Sequence, residues 1–136
     1  MNISVNHIQG RVPVAVLGVQ GDLDASNYQE LITRARELHN TGTHQILLDL
    51  SNASYVSSSG LVAIHSIALL LRDEQLPDLE HGWSAFHAVG RGLGAGPLQH
   101  LKLLSPQPKV DRTLEKAGLK EFLEIHADLA TAIASF

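Results

Sequence analysis

A chain of 136 residues with 44% apolar and 18% charged residues is long enough for one hydrophobic core, and too apolar and too weakly charged for the disordered class. A formal net charge of −4, with Lys and Arg scattered along the chain, argues against a broad electrostatic footprint for DNA, RNA or anionic lipid. The absence of cysteine removes disulfides, thiolate nucleophiles and thiolate metal sites together, and is compatible with a reducing cytoplasm, where the chain is expected to reside.

The first ten residues alternate polar and apolar side chains with no basic head and apolar block, so they do not read as a signal peptide. Ile3, Val5 and His7 alternate with Ser4, Asn6 and Ile8; Gly10-Arg11 breaks the run, and Val12, Val14 and Val16 resume it. This pattern predicts a hairpin, with Pro13 either at the start of the second strand or on a solvent-facing edge, because proline cannot donate a ladder hydrogen bond. From Ser26 the apolar positions become Tyr28, Leu31, Ile32, Ala35 and Leu38, a spacing that only a helix gathers on one face. Asp24 or Ser26 can cap it, Gln29 completes a capping box with Ser26, and Gly42 is a C-terminal stop.

Ile46, Leu47, Leu48 and Leu50 form a short apolar run that suits a central strand covered on both faces, with Asp49 its polar exception. The run from Leu61 to Leu71 is about half a membrane span and contains His65 and Ser66, so it reads as a buried helix, ended by Arg72 and Asp73. A strand over Leu101 to Leu104 is stopped by Pro106 and Pro108, and a helix carrying Val110, Leu114 and Ala117 runs to Gly118. Phe122, Leu123 and Ile125 make a last strand, and Asp128 caps a terminal helix bearing Leu129, Ile133 and Phe136. The order ββαβα(insert)βαβα predicts an α/β fold, a mixed sheet with helices packed on it and right-handed crossovers, in a single domain over 1–136 with an insert at 74–100. That insert holds Trp83, Phe86, Val89 and Leu93, too apolar for a solvated linker, and is expected to pack on the domain, on a twin or on a partner.

Chemistry concentrates at Ser57, Ser58 and Ser59, at the start of a helix. A phosphate there sits beside unpaired backbone N–H groups and the positive end of the macrodipole; the plain alternative is that the serines only cap the helix. Asp49 reads as a carboxylate bonded to a neighbouring loop, with no second acid placed to work with it. The eight histidines include no closely spaced ligand pair, so no metal is expected, and His65 reads as a satisfied helix histidine. Gly90 to Gly96 follows no predicted strand and is broken by Pro97, which argues for a loop over a phosphate cradle. A serine hydrolase lacks its Gly-x-Ser-x-Gly elbow here.

Gly21-Asp22-Leu23-Asp24, Leu47-Leu48-Asp49-Leu50-Ser51 closing a strand, and Tyr55-Val56-Ser57-Ser58-Ser59-Gly60-Leu61 opening a helix stand in the order and spacing of one family. With Leu103 to Pro106 and Val110 to Leu119 downstream, they make the chain resemble the STAS domains of bacterial anti-sigma factor antagonists, over nearly its whole length except 74–100. The resemblance implies a non-enzymatic regulator of transcription whose partner is a serine kinase that is also the anti-sigma factor. It implies phosphorylation at Ser58, and a partner-binding face of Gly21, Asp22, Asp24, Ser57, Ser59, Gly60 and Leu61. The family's aspartate falls on Ser57, a departure from its Asp-Ser-Ser-Gly motif. ATP and magnesium belong to the kinase, so no cofactor is implied for this chain, and neither nucleic acid nor membrane is an expected partner; a homodimer is left open. The alternative is an unphosphorylated STAS scaffold or sensor that self-associates or holds a small ligand.

Overall fold

The computed structural model describes residues 2–71 and 98–136. Strands β1 (Asn2–Gln9) and β2 (Pro13–Leu23) form the N-terminal hairpin, antiparallel, with Gln9 opposite Pro13. Pro13 thus opens its strand, where its missing N–H matters least. Helix α1 (Tyr28–Asn40) leads to β3 (Ile46–Val56), which runs into α2 (Ser58–Leu71). After the segment that lies outside the described residues come β4 (Leu98–Leu104), α3 (Pro108–Lys116), a 3-10 turn (Leu119–Glu121), β5 (Leu123–His126) and α4 (Leu129–Ser135). Among the described residues the sheet order is β1-β2-β3-β4-β5, with β1 antiparallel to β2 and the other pairs parallel.

Both sheet faces are covered, as the unbroken apolar run of β3 requires of a middle strand. Ile46, Leu48 and Leu50 share the larger core with Leu17 of β2, Leu101 and Leu103 of β4, Leu31 and Ala35 of α1, most of α2, and Val110 and Leu114 of α3. Leu47 points the other way, with Val14, Val16 and Leu104, onto Ala132 and Ile133 of α4. Lys102 is the polar member of that second face and is almost fully buried. Its ammonium donates to the Ser135 carbonyl (2.8 Å) and hydroxyl (3.0 Å), pairs with Glu124 (3.0 Å), and stands 4.8 Å from the Phe136 ring centroid. A cation at the last carbonyls of α4 satisfies groups that the helix itself leaves unpaired.

Several local expectations are corrected. The capping box at α1 does not form: Asn27 is the N-cap residue, the Ser26 hydroxyl donates to the Asp24 carboxylate, and the Gln29 amide donates to the Tyr28 hydroxyl. Asp24 still shapes the entry, since its carbonyl accepts the N–H groups of Asn27 (3.2 Å) and Tyr28 (2.9 Å). Strand β3 does not close at Ser51 but continues to Val56, because β2 also continues and supplies partners up to Leu23. Asp49 is therefore inside a strand, where its carboxylate accepts the Ser51 N–H (3.0 Å) and hydroxyl (2.7 Å). Strand β4 begins at Leu98, ahead of the apolar run. Pro108 opens α3, where a fixed φ and a missing N–H suit the first turn, and Phe122 ends the 3-10 turn instead of entering β5. Asp128 caps α4 as expected, accepting the Thr131 N–H at 2.9 Å. Arg72, Asp73, Trp83, Phe86, Val89, Leu93 and the glycines from Gly90 to Gly96 lie outside the described residues.

Candidate functional site

The acidic loop is shaped by a break in strand register. Gly21 adopts φ 97, a left-handed conformation that glycine tolerates, and the pairing with β3 shifts there, so that Asp22 lies opposite Tyr55 and Leu23 opposite Val56. Asn27, which the sequence reading passed over, braces the turn: its side-chain oxygen accepts the Asp24 N–H (2.9 Å) and its amide donates to the Asp22 carbonyl (2.8 Å). The hydroxyl and then the backbone N–H of Ser26 donate to the Asp24 carboxyl and hold it below the usual carboxylate range. Asp24 is thus an anion fixed in a turn.

The serine segment is tied directly to this loop. The Ser57 N–H donates to the Leu23 carbonyl (2.9 Å), and the Ser57 carbonyl accepts the Leu61 N–H (3.0 Å) to start α2. The Ser57 hydroxyl accepts the Gly60 N–H at 3.3 Å, the bond an N-cap side chain makes. Serine and aspartate are both strong N-cap residues, so the departure at Ser57 keeps the helix start intact. Ser58 is exposed, Ser59 is half-buried, and Gly60 and Leu61 are buried. The structure therefore brings Gly21, Asp22 and Asp24 to the same end of the sheet as Ser57 to Leu61, with Ser58 the outward member.

Gly60 explains how close the two segments come. A Cβ there would stand 2.8 Å from Val56 Cγ1, 2.9 Å from the Leu23 carbonyl oxygen and 3.0 Å from Leu23 Cγ. Because the obstacle is partly backbone, Gly60→Ala should push α2 off the end of β2. The expected cost is about 1–3 kcal/mol, read as a lower urea midpoint with an unchanged slope. An unchanged midpoint would show that α2 can shift freely.

Beyond the serines lies a groove of about 290 Å³ between the start of α2 and α3, lined by Tyr55, Ser57, Ser58 and Leu61 on one side and Thr113 and Lys116 on the other. Tyr55 is 41% exposed, and the Lys109 ammonium stands 5.3 Å from its ring centroid. The α3 residues come from far along the chain. Their one sequence signal is the Val110, Leu114, Ala117 stripe, which leaves Thr113 and Lys116 on its flank. Among the described residues no group of three or more His, Asp and Glu side chains is placed to hold a metal ion, and no helix is long and apolar enough to cross a membrane.

The geometry agrees with the comparisons to known proteins. The STAS domain family model matches residues 4–76. A candidate anti-sigma factor antagonist from Thermotoga maritima superposes with a TM-score of 0.66 at 19% identity, covering 96% of this chain and 90% of that one. An anti-sigma factor antagonist from Mycobacterium paratuberculosis gives 0.61 at 16% identity, with 98% and 93% covered. The anti-sigma factor antagonist SpoIIAA of Bacillus, in its phosphorylated form, gives 0.55 at 14% identity, with 97% and 96% covered. At these identities the neighbours share the fold of this chain. The family match takes in β1 to α2, and with them the acidic loop and the serine segment: the chain belongs to the STAS domain family.

Proposed function

We propose that the chain is a regulatory protein and not an enzyme: the face formed by Gly21 to Asp24 and Ser57 to Leu61 binds a kinase anti-sigma factor and so frees a sigma factor, and phosphorylation of Ser58 reverses this. The observation that carries the reading is the division of labour among the serines. Ser57 is occupied in capping α2, whereas Ser58 is exposed beside an acidic loop held in place by Asn27 and Leu23. A kinase can reach a hydroxyl so placed, and the added phosphate lies next to the positive end of α2. SpoIIAA, which has this fold, exists in phosphorylated and unphosphorylated forms.

Incubation of the full chain with ATP, magnesium and candidate anti-sigma kinases should add one phosphoryl mass to the wild type and none to Ser58→Ala. Ser58 is exposed and Ser57 remains as the cap, so the variant should keep its stability to within about 0.5 kcal/mol. Equal labelling of both proteins would overturn Ser58 as the site. The second reading, an unphosphorylated scaffold or sensor, draws on Ser57 standing where the family has aspartate; binding of the kinase without any labelling would favour it.

A further inference from the structure

Beside Ser58 the groove carries a cation that the partner-binding reading does not use. Lys116 lies at the end of α3, on the wall facing the start of α2, and shares the groove with the Ser58 side chain. It is exposed, and no ion pair engages it among the described residues. The other nearby lysine, Lys109, is directed at the Tyr55 ring. Asp22 and Asp24 belong to the loop that Leu23 ties to the serine segment, so a new anion at Ser58 has like charges in the adjoining loop and an ammonium in the groove that it lines.

We propose that Lys116 is the intramolecular receiver of the Ser58 phosphate, drawing it into the groove that both residues line. The inference rests on the phosphoserine reading of Ser58, but not on which kinase delivers the group. The volume of about 290 Å³ far exceeds the roughly 10–15 Å³ that a single water needs, so a phosphoryl group fits with water around it. Ammonium and phosphate form a charge-assisted hydrogen bond, and α2 presents its unpaired N–H groups to the same anion. The consequence is that α3, distant in sequence, senses the state of Ser58.

The test places phosphoserine at position 58 during synthesis of the full chain, so that it does not depend on any kinase. Phosphorus NMR then follows the second ionisation of the phosphate. A neighbouring cation favours the dianion and lowers this pKa, so Lys116→Gln should raise it by roughly 0.2–0.7 pH units, the scale of an exposed ion pair. Lys116→Arg should restore the wild-type value, and the difference should shrink in 1 M salt, where the screening length is about 3 Å. An unchanged pKa in Lys116→Gln, or an equal rise in Lys109→Gln with none in Lys116→Gln, overturns the assignment. Failure of kinase labelling at Ser58 with a positive NMR result would instead count against the proposed function alone.

Discussion

Phosphorylation of Ser58 should weaken binding of the kinase anti-sigma factor by roughly a hundredfold or more, and a large part of that loss should depend on Asp22 and Asp24. A phosphate brings about −1.5 to −2 charges to an exposed position at the centre of the proposed contact face. Bringing a partner onto it strips water from a dianion, and covering Asp22 and Asp24 with the same partner strengthens the repulsion among the three anions, which water screens in the free protein. Asp24, held by the two Ser26 donors below its ordinary carboxylate value, is ionised at neutral pH and adds to the repulsion throughout. The measurement is a cycle of four affinities: wild type and Asp22→Asn/Asp24→Asn, each with and without phosphate. Asparagine keeps the side-chain oxygen that the Ser26 N–H reaches, so the turn survives the change. If the acidic loop acts through charge, the phosphate penalty is clearly smaller in the double variant, whatever its starting affinity. An identical penalty in both backgrounds would assign the whole effect to bulk and desolvation at Ser58.

What the sequence made legible follows from what repeats along the chain. The hairpin, the stripe of α1 and the apolar run of β3 each carry a period of two or 3.6, or a short unbroken block, and all three lie where those patterns place them. The serine cluster was equally visible, since three serines before an apolar helix are a local signal. The far half of β3 was not. The sequence reading closes the strand at Ser51, and Asn52 to Val56 are in it only because the far end of β2 offers partners across a register shift. The capping box failed for a related reason: Asp24, two residues earlier, takes both the Ser26 hydroxyl and its N–H, and Asn27 is the N-cap. Lys102 carries no sequence signal of burial, since a lysine between leucines in a strand fits a solvent-facing position equally well. It is buried because α4 folds back over that face and presents carbonyl groups to it.

The site divides in the same way. Gly21, Asp22, Asp24 and the serines come from two neighbouring strand ends, and their proximity follows once β2 and β3 are paired in parallel. Tyr55, Thr113 and Lys116 meet Ser58 only through tertiary packing of α3, which the periodicity of α3 does not locate. The amide of Gln107, just before α3, donates to the Ser51 carbonyl at 2.9 Å and pins that helix to β3. Local motifs thus disclosed the acidic and serine half of the surface, and the fold supplies the basic half.

The stability of the free protein should fall by roughly 2.5 kcal/mol between pH 7 and pH 4.5 through one side chain, His65. It lies inside α2, a helix buried on nearly every side, is 2% exposed, and has its ring 6.3 Å from that of Phe122. Burial penalises the imidazolium and pushes its pKa down from 6.5 to about 4. The unfolded chain therefore takes up a proton as the pH drops through 6.5 while the folded chain does not. Stability is complete above that pH and is lost progressively until the folded state also protonates near 4. The lowered carboxyls of Asp24 and Asp128 act in the same direction but only below their ordinary value of 3.8, outside this window. Urea unfolding at pH 7, 6, 5 and 4.5 reads the slope directly. His65→Leu, similar in volume and without a titrating group, should flatten it, and His65→Gln should flatten it too even if its stability at pH 7 is lower. Parallel pH profiles in wild type and both variants would mean that His65 reaches water and that the packing around α2 is looser than its burial implies.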